Sequence, residues 1–416
     1  MRFRSLTSEP QQRLVVLLVP DVKEGGAIPR SGSSRGVVLR NSAAISLNRR
    51  QFLEACTRAA LASTLFSLSP RRALALPRNR KAVVVTFGGG ARDEETFAAD
   101  GRENIPHLLQ ELLPQATLFT QVVNHGILGH YVATASLATG RYETFNNFAA
   151  VPPANPTVFE YFRKGLNRPA TDSWVVAPSN GFNRIGESSN RAYGPGTGAE
   201  VILPKRLLRA VLPSASIDEY EHLLHDNYET PLYAPELSGN DLDLNQVADT
   251  LKLSVSDFGQ HARNLISPDE LSVYIAKRLM KQFAPSLLWI TLHDIDVAHA
   301  GAYSLYIEGI RRTDRLCAEI WQSIQTDPEY AGKTTMFILP DFGRDSDFEV
   351  GGNGFQHHRT GDTASRTTWL MALGPGIREQ ALVERAVDST DLVPTLGALL
   401  GFDARYAQGK PLVELV

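Results

Sequence analysis

The sequence predicts an α/β fold of three layers, in which a mostly parallel β-sheet carries helices on both faces. Three observations predict it. Short apolar, β-branched runs recur along the chain and are near-continuous rather than alternating, as in strands covered on both sides. A stretch with helical spacing separates the first two of them, the strand–helix–strand order of a parallel crossover. Several of the runs also stop at glycine or at polar residues, the mark of a strand entering a tight loop.

The first strand is Lys81-Ala82-Val83-Val84-Val85-Thr86-Phe87, ended by Gly88-Gly89-Gly90. Ile105, Leu108, Leu109 and Leu112 give a helix over residues 104–113, and a second strand follows at 116–123. Further strands are expected at 174–176, 287–291, 335–339 and 368–372. Residues 205–283 differ, with helix-like segments and polar loops, and are read as a helical insertion or cap. No repeat is evident, and no apolar run after residue 76 is long enough to cross a membrane.

The chain has 416 residues, long for one domain and short for three. Its formal net charge of −3 leaves no electrostatic footprint for nucleic acid. Cys56 and Cys317 are its only cysteines, which excludes a disulfide framework and a zinc ribbon, so a metal site would have to use histidine and carboxylate.

Residues 1–45 are rich in Ser, Gly and Arg and are expected to be disordered. Residues 46–75 resemble a twin-arginine signal peptide: Asn48-Arg49-Arg50-Gln51-Phe52-Leu53, an apolar stretch around Ala59–Phe66, then Ala73-Leu74-Ala75 as a small-x-small cleavage pattern. A bland alternative is an amphipathic surface helix starting near Leu47. The signal implies the twin-arginine translocase as partner, a periplasmic or extracellular destination and a mature domain over residues 76–416. Its distance from Met1 points to a translation start further downstream.

Ligands of open α/β sheets bind beyond the carboxyl ends of the strands. Here the strands lead into Gly88-Gly89-Gly90, into Asn124-His125-Gly126-Ile127-Leu128-Gly129-His130, into His293-Asp294-Ile295-Asp296-Val297-Ala298-His299, and into Pro340-Asp341-Phe342-Gly343-Arg344, with Gln356-His357-His358-Arg359 later. Five of the ten histidines thus follow strands, at 125, 130, 293, 299 and, after a longer loop, 357 or 358. Imidazole mixed with carboxylate suits zinc or manganese; oxygen ligands alone would favour magnesium or calcium. Two motifs mislead. Asp341-Phe342-Gly343 lacks the other kinase motifs, and Gly194-Pro195-Gly196-Thr197-Gly198 has no strand leading into it.

Some residues keep two readings. His130 is a metal ligand, a covalent acceptor, a general base, or a cap for the helix after it. Thr134 lies one turn on and shares its face, as a substitute nucleophile or a packing residue. Asp341 serves a site or a turn. Arg344 binds phosphate or sulfate, or pairs with Asp345 or Asp347. Arg92 and Asp93 contribute to the first loop or form a solvated charge run.

Three stretches carry a family resemblance: Val387-Asp388-Ser389-Thr390-Asp391-Leu392-Val393-Pro394-Thr395-Leu396-Gly397 with Gln408-Gly409-Lys410-Pro411-Leu412, Ala135-Ser136-Leu137-Ala138-Thr139-Gly140-Arg141-Tyr142, and Asn155-Pro156-Thr157-Val158-Phe159-Glu160-Tyr161-Phe162. In this order they resemble the alkaline phosphatase superfamily, and within it the sulfatase-like and twin-arginine-exported members. The resemblance implies a two-metal centre. One metal would take Asp294 or Asp296, His299, and His357 or His358. The other departs from the family's pattern: Gly88 stands in place of an Asp, Phe342 in place of the His beside Asp341, and His130 at the nucleophile's position. The implied function is an exported metal-dependent hydrolase of phosphate or sulfate esters, on small-molecule or polymer substrates. His130, Asp341 and Arg344 are its candidate catalytic residues. Its candidate metal ligands are Asp294, Asp296, His299, Asp341, His357 and His358, and its second metal site is degenerate. The alternative is a non-catalytic exported binding protein that keeps the fold.

Overall fold

A computed structural model describes residues 79–211, 219–224, 255–347, 354–359 and 361–416. The expected extension and signal segment, 1–75, lie outside the described residues, as do 212–218 and 225–254 of the expected insertion.

The strands are β1 (Lys81–Thr86), β2 (Ala116–Val123), β3 (Ser173–Val176), β4 (Glu200–Ile202), β5 (Leu287–Thr291), β6 (Thr334–Leu339), β7 (Thr367–Leu373), β8 (Ala381–Val383) and β9 (Val387–Asp388). They form one sheet in the order β4-β3-β5-β1-β6-β7-β2-β8, with β9 also on β2. Pairing is parallel except where β7 runs against β6 and β2. The six strands read from the sequence are present. The short edge strands β4, β8 and β9 were not anticipated, since two or three residues carry no measurable period.

The longer helices are α1 (His130–Thr139), α2 (Val158–Leu166), α3 (Pro204–Val211), α4 (Val255–Ala262), α5 (Pro268–Phe283), α6 (Tyr303–Thr326) and α7 (Leu392–Leu400). The helix expected over 104–113 is present as a short helical segment over residues 106–115, wound as a π-helix over Leu108–Leu112 and tightening to a 3-10 turn over Leu113–Gln115, with Leu108 and Leu112 buried. Pro106 and Pro114 bracket that segment and keep it short. Within the expected insertion, α5 packs against β3 and β5 as the crossover helix between β4 and β5.

Alternation along the central strands fixes the three layers. Val83 and Val85 of β1 join Leu288 and Ile290 of β5 and Met336 and Ile338 of β6 in one core, with α5 and α6. Ala82 and Val84 join Leu287, Trp289, Phe337 and Leu339 in the other, with α1, α2 and α7. Each fully buried Val, Leu or Ile contributes roughly 1.5–3 kcal/mol. That double coverage explains why the runs read as continuous apolar stretches. Because β1, β2, β5 and β6 run parallel, their carboxyl ends open on one edge, and β7 starts there from the opposite direction.

Candidate metal centre

Each loop at this edge is held by a specific local device. The β1 loop is the glycine triplet. A Cβ on Gly88 would lie 2.0 Å from the Leu292 carbonyl oxygen, and one on Gly89 2.5 Å from the Asp296 nitrogen. Gly89 and Gly90 also have φ of 98° and 72°. Only glycine lets this loop rest on the backbone of the β5 loop.

The β5 loop, a helical turn over Asp294–Ala300, is fixed from beneath. Fully buried Asp269, in the first turn of α5, accepts the His293 amide at 2.8 and 2.9 Å and the Asp294 amide at 2.8 Å. The β2 loop feeds α1, which opens with His130. Its cap position, Gly129, has no side chain, and Asn147 Oδ1 accepts the Tyr131 and Val132 amides at 3.0 and 3.3 Å instead.

His130, Asp296, His299 and His358 converge, with one ligand atom of each within 4.8 Å of the others. Asp296 and His299 share a face of their turn because they are three residues apart. His130 lies between two carboxylates, its Nδ1 2.6 Å from Asp341 Oδ2 and its Nε2 2.9 Å from Asp296 Oδ1. Ionised carboxylates only accept, so both nitrogens donate and the ring is an imidazolium. Burial pushes its pKa down, but Asp296 and Asp341 override that and lift it to about 9. Burial works the other way on Asp296, and His130, His293 and Arg344 hold it well below the usual carboxylate range.

The other two imidazoles are different. His358 Nδ1 donates to the Leu128 carbonyl at 2.8 Å, which leaves Nε2 as the bare nitrogen. His299 is also hydrogen-bonded to the Gln356 backbone. Yet burial brings His299 down to about 4, and burial together with His130 and Arg344 brings His358 well below its ordinary value. Both rings are therefore neutral, and that of His358 has its donor spent on backbone. Their Nε2 atoms nevertheless face each other at 2.9 Å, with that of His299 also 3.2 Å from Asp296 Oδ1. A cation placed between them would meet both nitrogens and the Asp296 oxygen at once. Backbone carbonyls that fix a ring in this tautomer are the usual outer partners of metal-binding histidines. The donor set fits one divalent metal.

Arg344 is fully buried. Its Nε donates to Gly90 O at 2.9 Å and Nη1 to Phe355 O at 3.1 Å, while Nη2 donates to Gly89 O and, at 2.7 Å, to Asp296 Oδ1. Four of its five N–H groups are thus spent on protein.

Of the sequence-derived ligands, Asp296, His299 and His358 come together. Asp294 does not: residues two apart on a turn face different ways, and its Oδ2 pairs with Arg312 Nη1 at 2.9 Å. His357 is half-buried, its ring centre 6.2 Å from that of His299, and only its neighbour His358 enters the cluster. Asp341 reaches the cluster through His130.

Among the candidate catalytic residues, Arg344 has no surface to offer an ester and pairs with neither Asp345 nor Asp347. Those two pair with Arg359 and, at 2.7 Å, with Arg92. Thr134 is fully buried with its hydroxyl unbonded, a packing residue. Arg92 is buried against Glu95 and is no solvated charge run. Sequence reasoning missed Asp269 and Asn147. Ser267-Pro268-Asp269-Glu270 signals a helix start, but nothing local says which loop that helix end would hold.

No protein-family model matches the chain, and no curated protein sequence matches it. Solved structures with a similar chain trace include wild-type alkaline phosphatase PafA, 12% identical with a TM-score of 0.47, over 82% of this chain and 100% of that one. The lipoteichoic acid synthase LtaP from Listeria monocytogenes is 11% identical with a TM-score of 0.47, over 80% of this chain and 74% of that one. BT1596, a 2-O GAG sulfatase, is 12% identical with a TM-score of 0.48, over 80% and 73%.

Proposed function

We propose that the chain is a metal-dependent hydrolase of phosphate or sulfate esters of the alkaline phosphatase superfamily. A divalent metal, zinc or manganese, would be held by Asp296, His299 and His358. The observation that carries this reading is the convergence of ligand atoms from Asp296, His299 and His358, with the two Nε2 atoms 2.9 Å apart and that of His299 3.2 Å from Asp296 Oδ1.

Charge points to the substrate class. The buried groups His130 and Arg344 carry two positive charges and Asp296 and Asp341 two negative ones, so the cluster is balanced before any metal enters. A divalent ion there leaves the centre net positive, and an anionic ester completes it. Such a metal supplies Lewis acidity towards an ester oxygen and makes a water nucleophilic near neutral pH. His130, with both nitrogens donating, is neither nucleophile nor base. It orients Asp296 and Asp341, so the attacking group is water. This engaged histidine also supports a second reading, a binding protein without turnover.

Residues 46–75 are the proposed export signal, read by the twin-arginine translocase, and residues 205–283 are the proposed source of specificity for a small-molecule or polymer ester. Elemental analysis of the folded protein, with turnover on a panel of phosphate and sulfate esters, tests the main reading. Bound transition metal and hydrolysis, both lost in His358→Ala, support it. Metal without turnover leaves the binding protein, and neither metal nor turnover sinks the reading. Export of a reporter fused to residues 1–76, abolished by Arg49→Lys with Arg50→Lys, tests the signal.

A further inference from the structure

We propose that the guanidinium of Arg344 permanently occupies the second cation position at this sheet edge, so that the centre takes one divalent metal and excludes another. The proposal rests on the metal-dependent reading above and deepens it. The family resemblance calls for a second ion near the ends of β1 and β6, and the residues there do not fit one.

Three observations carry this. The first is steric. A carboxylate cannot be supplied from position 88, because even a Cβ there would meet the Leu292 carbonyl oxygen at 2.0 Å, and backbone cannot yield as a flexible side chain does. The second concerns the remaining donors. Phe342 presents an aromatic ring, 4.6 Å centre to centre from both His130 and His358, where an imidazole would be needed. Asp341 spends Oδ2 on His130 at 2.6 Å and Oδ1 on the Phe342 amide at 3.1 Å. The third is that a cation is already present. Arg344 is fully buried, and its Nη2 binds Asp296 Oδ1 at 2.7 Å together with the Gly89 carbonyl, while Nε binds the Gly90 carbonyl. A carboxylate and backbone carbonyls are oxygen donors of the kind that coordinate a hard metal ion. Here they converge on N–H groups.

The arrangement also explains the glycine triplet. Glycine at 90 lets the loop approach the arginine stem: a Cβ there would lie 3.0 Å from Gly343 O and 3.2 Å from Arg344 Cγ. The triplet, lacking metal-binding side chains, is the seat of the guanidinium. Arg344 acts through Asp296 and the β1 loop, so it is a positioning residue.

Metal stoichiometry tests this without reference to turnover. The full chain is equilibrated with excess zinc or manganese, freed of unbound ion by gel filtration and analysed for metal. One ion per chain is expected. Two would overturn the inference and leave the single-site reading's ligands intact; none would overturn both. Phe342→His, which restores an imidazole beside Asp341, is expected to remain at one ion per chain, and uptake of a second would overturn the inference. Arg344→Ala opens the position and is expected to take up a second ion, with a melting temperature that keeps rising with metal after the first site is full. A folded Arg344→Ala protein that holds one ion would show that the guanidinium is not what excludes the second. If that variant does not fold, the wild-type and Phe342→His counts decide.

Discussion

Two sides of one sheet edge solve the same electrostatic problem in opposite ways. On the side of the β5 loop and the segment before β7, His299 and His358 bring their Nε2 atoms within 2.9 Å of each other beside Asp296, a set of donors that a metal from outside would complete. On the side of β1 and β6, Arg344 and His130 satisfy Asp296 and Asp341 with charge built into the chain. The difference teaches that a polar cluster is not by itself a ligand site. What distinguishes the two is whether donors already meet acceptors.

The comparison can be broken at several points. The largest effect is expected from His358→Ala. If the imidazole pair is the metal seat, affinity for zinc falls by more than the roughly 10–100-fold lost when only an outer partner is removed, as isothermal titration would read; unchanged affinity would remove the contrast altogether. Arg344→Met strips a charge from buried Asp296. Breaking a buried pair from one side costs about 3–5 kcal/mol, so urea unfolding should show a fall of that size, whereas a surface-like change below about 1 kcal/mol would mean the guanidinium is not the counter-charge. Gly88→Ala should cost about 1–3 kcal/mol or more from overpacking against the Leu292 carbonyl, read as a lower melting temperature. A neutral result would show that the β1 loop is not wedged.

The smallest effect concerns a control away from the edge. Asp314 on α6 is fully buried and accepts the His107 and Leu108 amides at 3.0 and 2.7 Å. Burial outweighs those two bonds and raises its pKa to about 6. The folded state therefore holds this proton more tightly than the unfolded chain, whose value is about 3.9. Its contribution to stability is greatest below about pH 4, declines as pH rises to about 6 and is level above that. Urea midpoints across this window should lose that slope in Asp314→Asn. An unchanged slope would assign the pH dependence to other groups.

Much of the fold was legible because strands covered on both faces leave an unmistakable trace: Val83 to Val85 and Leu287 to Ile290 must be apolar at every position. The site was partly legible for a related reason, since polar residues straight after such runs land on one edge. The sequence could not say which member of each close pair would face inward. Asp296 over Asp294 follows from the phase of a turn whose start is set by Asp269, a residue of a different element. His358 over His357 follows from the Leu128 carbonyl, 230 residues away in the chain. Arg344 misled for a different reason: an arginine among site residues reads as an anion binder, and only its burial and four bonds to protein show that it faces no ligand.

The closeness of Gly88 to the Leu292 carbonyl also bears on how readily this architecture could change its chemistry. A carboxylate introduced at position 88 is useful only after the neighbouring strand's exit has shifted, and that exit is tethered to α5. No single substitution at position 88 therefore supplies a ligand for a second ion. Any such carboxylate would first pass through sequences that pack badly, so on the proposed reading the chemistry open to this site is what one metal beside a fixed guanidinium would allow.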